Sequence, residues 1–128
     1  MILLDTHIFL WMHLEPEKLP QPLANAIDTE LVLGVAAISL WETAMLVERH
    51  RITIPNPSLL EWFRVTLTSP NLFLLPLTPE IAARSEALDM HGDPADRLIA
   101  ATALDYGCRL ATVDRQLIAL DWLETAFD

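Results

Sequence analysis

Cationic side chains are what this chain has least of. Eight Lys and Arg residues stand against eighteen Asp and Glu in 128 residues, a formal net charge of −10, and Lys18 is the sole lysine. That balance excludes a basic nucleic-acid-binding face as a bulk property. Cysteine occurs once, at Cys108. A disulfide framework within the chain and a cysteine-based zinc site are thereby excluded, and a reducing compartment fits. The three glycines, Gly34, Gly92 and Gly107, cannot supply a phosphate loop or a dinucleotide-binding fingerprint. No apolar run reaches the 18 residues of a membrane span. The start, Met1-Ile2-Leu3-Leu4-Asp5, lacks the basic region and cleavage site of a signal peptide. A cytoplasmic protein with no membrane segment is the expectation.

What is present is apolar. Residues of that class make up 52 % of the chain and charged residues 20 %, a composition that collapses rather than staying disordered. The length predicts one domain over residues 1–128, burying roughly two-thirds of its unfolded surface.

Short apolar runs alternate with helical patterns. Ile2–Leu4 reads as a buried strand, and Thr6–Leu14 as a helix with Ile8, Leu10, Trp11 and Leu14 at mixed helical spacing. Pro16, Pro20 and Pro22 interrupt the chain before a short helix near Leu23–Asp28. Leu31–Ala36 is apolar without alternation, as a strand covered on both faces is. Ser39 opens a helix to about His50, a proline-bearing turn comes next, and Ser58–Ser69 is helical. Leu72–Leu77 is a third strand. Thr78-Pro79 and Asp93-Pro94 each read as an N-cap with proline at the first helical position, the second helix ending near Gly107. Cys108–Thr112 is a fourth strand, Asp114–Leu120 a short helix, and a last strand is expected within Trp122–Phe127. Strands separated by helices predict an α/β fold with a mostly parallel sheet and helices on both faces. Such folds place ligands beyond the carboxyl ends of the strands.

Acids recur at those ends. Asp5 follows the first strand, Ser39 and Glu42 the second, Thr112 and Asp114 the fourth, while Asp93 and Asp96 open the helix leading to the fourth. Each has a local reading: Ser39-x-x-Glu42 is a capping box, Asp93-Pro94-Ala95-Asp96 the same device with aspartates, and Asp5 and Asp114 can each cap the helix that begins beside it. Capping alone does not explain why four helix starts carry carboxylates along one edge. Two carboxylates about 5 Å apart repel by roughly 3 kcal/mol at an effective dielectric near 20. Four converging ones require protonation or a counter-charge. With lysine nearly absent, a hard divalent cation, Mg²⁺ or Mn²⁺, fits an all-oxygen donor set.

Leu3-Leu4-Asp5-Thr6, Ser39-Leu40-Trp41-Glu42, Asp93-Pro94-Ala95-Asp96-Arg97-Leu98-Ile99-Ala100 and Thr112-Val113-Asp114-Arg115 together resemble a PIN domain, in particular the VapC-type toxin ribonucleases of toxin–antitoxin pairs. The resemblance spans nearly the whole chain. It implies a three-layer α/β/α sandwich, a homodimer, an RNA substrate, a small VapB-like antitoxin that blocks the site, and dependence on Mg²⁺ or Mn²⁺. The family's acidic quartet maps onto Asp5, Glu42, Asp96 and Asp114. Asp5 and Asp96 are expected as principal metal ligands, with Glu42 and Asp114 binding directly or through water. Thr6, Ser39 and Thr112 are expected to hydrogen-bond the ligands from behind. Arg97 and Arg115, each beside a proposed ligand, are candidates for substrate phosphate, or for pairing with nearby acids. Asp93 is assigned to helix capping, with a metal role as the alternative. His7 reads as a helix-face residue, with a place facing the site as the alternative, and Trp11, Trp41, Trp62 and Trp122 as core or interface, with base stacking as the alternative.

Two other small acidic α/β classes fit poorly. A phosphoacceptor receiver needs adjacent acids after its first strand and a late lysine, and a haloacid-dehalogenase-type phosphatase needs an aspartate where His7 stands. The alternative is a non-catalytic PIN-like module that binds metal or a protein partner.

Overall fold

The computed structural model describes residues 1–126. In chain order it contains β1 (Ile2–Leu4), α1 (Thr6–Leu14), a 3₁₀ turn (Pro16–Lys18), α2 (Gln21–Thr29), β2 (Leu33–Ala36), α3 (Ala37–Glu48), α4 (Leu59–Thr66), β3 (Leu72–Leu75), α5 (Pro79–Ala87), α6 (Pro94–Tyr106), β4 (Arg109–Ala111) and α7 (Arg115–Ile118). The four strands form one parallel sheet in the order β3-β2-β1-β4.

The central strand explains the layering. Ile2, Leu3 and Leu4 are fully buried, and alternate residues point to opposite faces. Ile2 and Leu4 pack with Phe9 of α1, Leu23 and Ile27 of α2 and Trp62 of α4. Leu3 packs on the other face with Ile99, Ala100 and Ala103 of α6 and Leu117 of α7. Two cores on either side of one sheet make the expected three-layer α/β/α sandwich. Each buried Leu or Ile contributes about 2 kcal/mol of transfer free energy, which is what lets a three-residue strand hold the centre. Trp62 lies in the core rather than on an interface, 2 % exposed.

Local signals place several boundaries. Thr78 Oγ1 accepts from the Ile81 amide and Ser58 Oγ from the Glu61 amide, capping α5 and α4. Gly107 ends α6 in the left-handed conformation, φ 60°, which favours a residue without a Cβ.

The expected Ser39 capping box does not exist. β2 runs into α3 without a linker, the helix begins at Ala37, and Ala36 holds the cap position with no side-chain bond. Ser39 instead sits within the first turn, fully buried. The last expected strand is a single bridge between Leu110 and Thr125; Phe127 lies outside the described residues.

Connections carry the chain from β1 through β2 to β3 in one direction, and β4 returns to the other side of β1. Strand order therefore reverses at β1, leaving a crevice at the carboxyl ends of β1 and β4. Asp5 follows β1 directly and Thr112 follows β4.

Candidate active site

At that crevice lies a cleft of about 390 Å³, lined by Asp5, Glu42, Asp93, Asp96 and Asp114 together with Thr6, His7, Trp11 and Val113. Five carboxylates from four segments face one space. None of the lining residues is a lysine or an arginine.

Asp5 is held from both sides. Its Oδ1 accepts from the Thr6 amide at 2.8 Å, and its Oδ2 accepts from Thr112 Oγ1 at 2.7 Å. The second bond joins the ends of β1 and β4 across 107 residues of sequence. Thr112 Oγ1 also accepts from the Asp114 amide at 3.0 Å, which aims the Asp114 segment, while Asp114 Oδ1 caps α7 through the Gln116 amide at 2.8 Å. Burial raises the Asp5 pKa, and the bonds from Thr112 and Thr6 oppose that rise.

Glu42 is positioned by α1. Thr6 Oγ1 lies in hydrogen-bond contact with Glu42 Oε1 and 2.8 Å from Ser39 Oγ. Thr6 has one proton to give; it goes to the carboxylate, and Thr6 accepts from Ser39. Ser39 and Thr6, 33 residues apart, thus lock α3 to α1 and aim Glu42 into the cleft. Burial raises the Glu42 pKa, the Thr6 bond lowers it, and the charges of Asp5 and Asp93 raise it further. Removing this hydroxyl in Thr6→Val is expected to leave Glu42 unheld and to lower any activity that depends on this carboxylate about 10- to 100-fold. Thr6→Ser, which keeps the hydroxyl, is expected to retain most of the rate.

Asp96 is the most perturbed acid. Its pKa is pushed up to about 7, first by burial, then by the charges of Asp93, Asp5 and Asp114, and by a hydrogen bond with Asp93 that needs the proton. Burial together with three neighbouring carboxylates keeps this carboxyl protonated near neutrality. The donor set is all oxygen, as Mg²⁺ and Mn²⁺ prefer. Among the described residues no three His, Cys, Asp or Glu side chains stand close enough together to enclose an ion by themselves. An ion here would be held by one or two carboxylates, the others acting through water, as Mg²⁺ ordinarily is.

A family model for the PIN domain matches residues 2–123. The chain belongs to the PIN domain family. It is 42 % identical over 118 residues to "Ribonuclease VapC22" of Mycobacterium tuberculosis (strain ATCC 25618 / H37Rv), a match covering 91 % of this chain and 88 % of that one. Two solved structures share the fold. VapBC2 from Rickettsia felis, bound to a DNA fragment from its promoter, superposes with a TM-score of 0.72 at 16 % identity over 98 % of this chain and 97 % of that chain. A toxin–antitoxin complex from Klebsiella pneumoniae gives 0.70 at 17 % identity over 100 % and 99 %.

In this PIN domain the four expected acids, Asp5, Glu42, Asp96 and Asp114, line the same cleft. Thr6 reaches Glu42 and Thr112 reaches Asp5, while Ser39 acts one step further back, through Thr6. Asp93 departs from expectation. It occupies the cap position of α6, but its side chain makes no capping bond and faces the cleft instead.

Arg97 also departs. Its guanidinium donates to the carbonyls of Ser85, Leu88, Met90 and His91 at 2.8–3.0 Å. It fastens the α5–α6 connection with four of its five N–H donors, so its role in the structure is to hold that connection. Arg97→Ala is expected to cost at least about 3 kcal/mol, since bonds from a charged donor are worth about 1.5–3 kcal/mol each and do not add fully. Urea denaturation reads the loss. Arg115 is exposed at the first position of α7, one residue beyond Asp114.

Sequence patterning missed His91. Its Nδ1 accepts from the Asp93 amide at 3.3 Å, so the neutral ring carries its proton on Nε2, 3.3 Å from Asp96 Oδ2 but out of line for a hydrogen bond. No spacing rule singles out a histidine that meets its acid through a loop. His7 and Trp11 line the cleft from α1.

Proposed function

We propose that this PIN domain is a divalent-cation-dependent endoribonuclease and the toxin of a VapBC-type pair. The observation that carries the reading is the convergence of Asp5, Glu42, Asp93, Asp96 and Asp114 on one cleft with no cationic side chain among them. Such a cleft repels a phosphodiester unless a cation intervenes. Asp5 and Asp96 would hold Mg²⁺ or Mn²⁺, with Glu42 and Asp114 binding directly or through water. When bound, the cation would supply a water of lowered pKa and neutralise charge developing on phosphorus. One of the cleft carboxylates would orient a water and take its proton as it attacks phosphorus, the phosphorus–oxygen bond to the leaving nucleotide would break, and that proton would pass to the leaving oxygen. Thr6, Ser39 and Thr112 keep the acids in place as charge moves.

RNA as the substrate rests on the similarity to a protein named a ribonuclease. A small antitoxin partner rests on the Klebsiella relative being part of a toxin–antitoxin complex. A homodimer finds support in a largely apolar surface: Trp41, 58 % exposed, lines a cavity of about 410 Å³ with Ile38, Met45, Pro94 and Ala95, and the acids Glu42 and Asp93 line it as well. Among the described residues no helix is long and apolar enough to cross a membrane, and we place the protein in the cytoplasm.

The test is incubation of purified protein with total RNA in Mg²⁺, Mn²⁺ or chelator, with new 5′ ends mapped by sequencing. Discrete cuts that require the metal are expected. Absence of cuts in every condition favours the non-catalytic module.

A further inference from the structure

Beside the acidic cleft lies a second one of about 300 Å³, and the two share His7 and Trp11 as a common wall. These residues stand one turn apart on α1 with ring centroids 6.2 Å apart, edge to face. The far side of the second cleft differs in character from the first. Lys18 and Arg51 line it together with one acid, Glu15, and Leu14, Leu46 and Ile52 give it an apolar floor. In a chain of net charge −10 with eight cationic side chains, two of the eight meet here, next to the carboxylates. Lys18 is partly neutralised by Glu15 at 2.9 Å. Arg51 is exposed and takes part in none of the ion pairs among the described residues.

A strand whose scissile phosphate enters the acidic cleft must also carry its neighbouring phosphates past the same negative charge. The second cleft, which shares a wall with the first, offers a phosphate a cation and a base an aromatic face and an apolar floor. Its volume is at the lower end of small-molecule sites, about 300–1,000 Å³. Stacking on aromatic side chains together with backbone contacts to cations is the general way single strands are held. We infer that the second cleft is a subsite for the nucleotide adjoining the scissile phosphate of single-stranded RNA, with its base against Trp11 and its phosphate towards Arg51. The inference rests on the endoribonuclease reading above and adds where the flanking nucleotide sits.

The test compares wild type, Arg51→Ala, Trp11→Ala and Trp11→Phe on the same RNA pool in Mg²⁺ or Mn²⁺, with mapped 5′ ends, KM and kcat on a cleaved oligonucleotide, and KM across a salt series. Circular dichroism melting verifies that each variant folds. Arg51→Ala and Trp11→Ala are each expected to raise KM about tenfold, by the size of one lost stacking or phosphate contact. Arg51→Ala should also reduce the salt slope by about 0.7. Trp11→Ala should flatten the nucleotide preference at one position beside the cut, and Trp11→Phe should keep it. If the wild type cleaves and Arg51→Ala and Trp11→Ala match it in KM, preference and salt slope, the subsite is refuted while the ribonuclease reading stands. If RNA kinetics are unchanged but the variants lose inhibition by the purified antitoxin, the cleft belongs to the protein partner and the inference falls. If the wild type cleaves nothing with either metal, the ribonuclease reading fails and the subsite with it.

Discussion

Asp5→Asn and Asp96→Asn are each expected to lower RNA cleavage by at least about 100-fold, more than the loss of a group that merely orients a metal-binding carboxylate, while leaving the protein folded. The geometry explains why asparagine separates charge from structure at Asp5. Its side-chain oxygen still accepts from the Thr6 amide, and its NH₂ donates to Thr112 Oγ1, a hydroxyl able to accept as well as donate. The bridge between the ends of β1 and β4 survives and only the charge goes. Asp5→Ala instead leaves the Thr6 N–H and the Thr112 O–H without acceptors in a buried place, at a cost of about 1–3 kcal/mol for each unmade bond. Stopped-time cleavage assays with melting curves on the same preparations distinguish the two effects. Full activity in either asparagine variant would remove that residue from the catalytic set.

The metal-free protein is expected to lose stability as pH rises from about 4 to about 7, and Mg²⁺ is expected to restore it at the upper end. Folded, Asp96 keeps its proton up to about pH 7; its ordinary value is 3.8. Across that window the folded state binds more protons than the unfolded state, so stability falls with rising pH and levels off above about 7. Asp5 and Glu42, both raised, act in the same direction. A cation that binds the ionised cluster stabilises the fold by mass action, and that gain grows as the acids deprotonate. Asp96→Asn carries no charge there. It should be more stable than wild type at pH 8 in chelator and gain less from Mg²⁺. Thermal melts at pH 5, 6.5 and 8, with chelator and with Mg²⁺, measure all three effects. A wild-type protein that gains stability from pH 5 to 8 in chelator would show that the acids are not crowded.

The layers of the fold were legible because each depends on a local signal. Ile2–Leu4 and Leu33–Ala36 are short apolar runs covered on both faces, and Pro79 and Pro94 mark the first turns of α5 and α6. Errors arose where side chains serve distant partners. Ser39-x-x-Glu42 has the pattern of a capping box, yet Ser39 bonds Thr6 and Glu42 takes the Thr6 proton, both across about 35 residues. Asp93 has the pattern of a cap, yet its side chain turns to the cleft. Arg97 sits beside Asp96 in sequence, but one helical residue on it points to the α5–α6 connection and binds four carbonyls there. His91 meets Asp96 only because that connection folds back over the start of α6. Asp5 and Asp114 could be named from their places after strands, and the full set Asp5, Glu42, Asp96 and Asp114 from the resemblance to a PIN domain, whereas Asp93 could not. Which groups hold them could not, because those contacts are set by how α1, α3 and the α5–α6 connection pack.

Diffraction from crystals soaked in Mn²⁺ at pH 8, recorded for anomalous signal, tests most directly whether this cleft is a metal centre. The account predicts a peak within the cleft, in contact with Asp5 or Asp96, that disappears in Asp5→Asn. No peak there at saturating Mn²⁺, with the five acids turned apart and protonated or paired to one another, would contradict it.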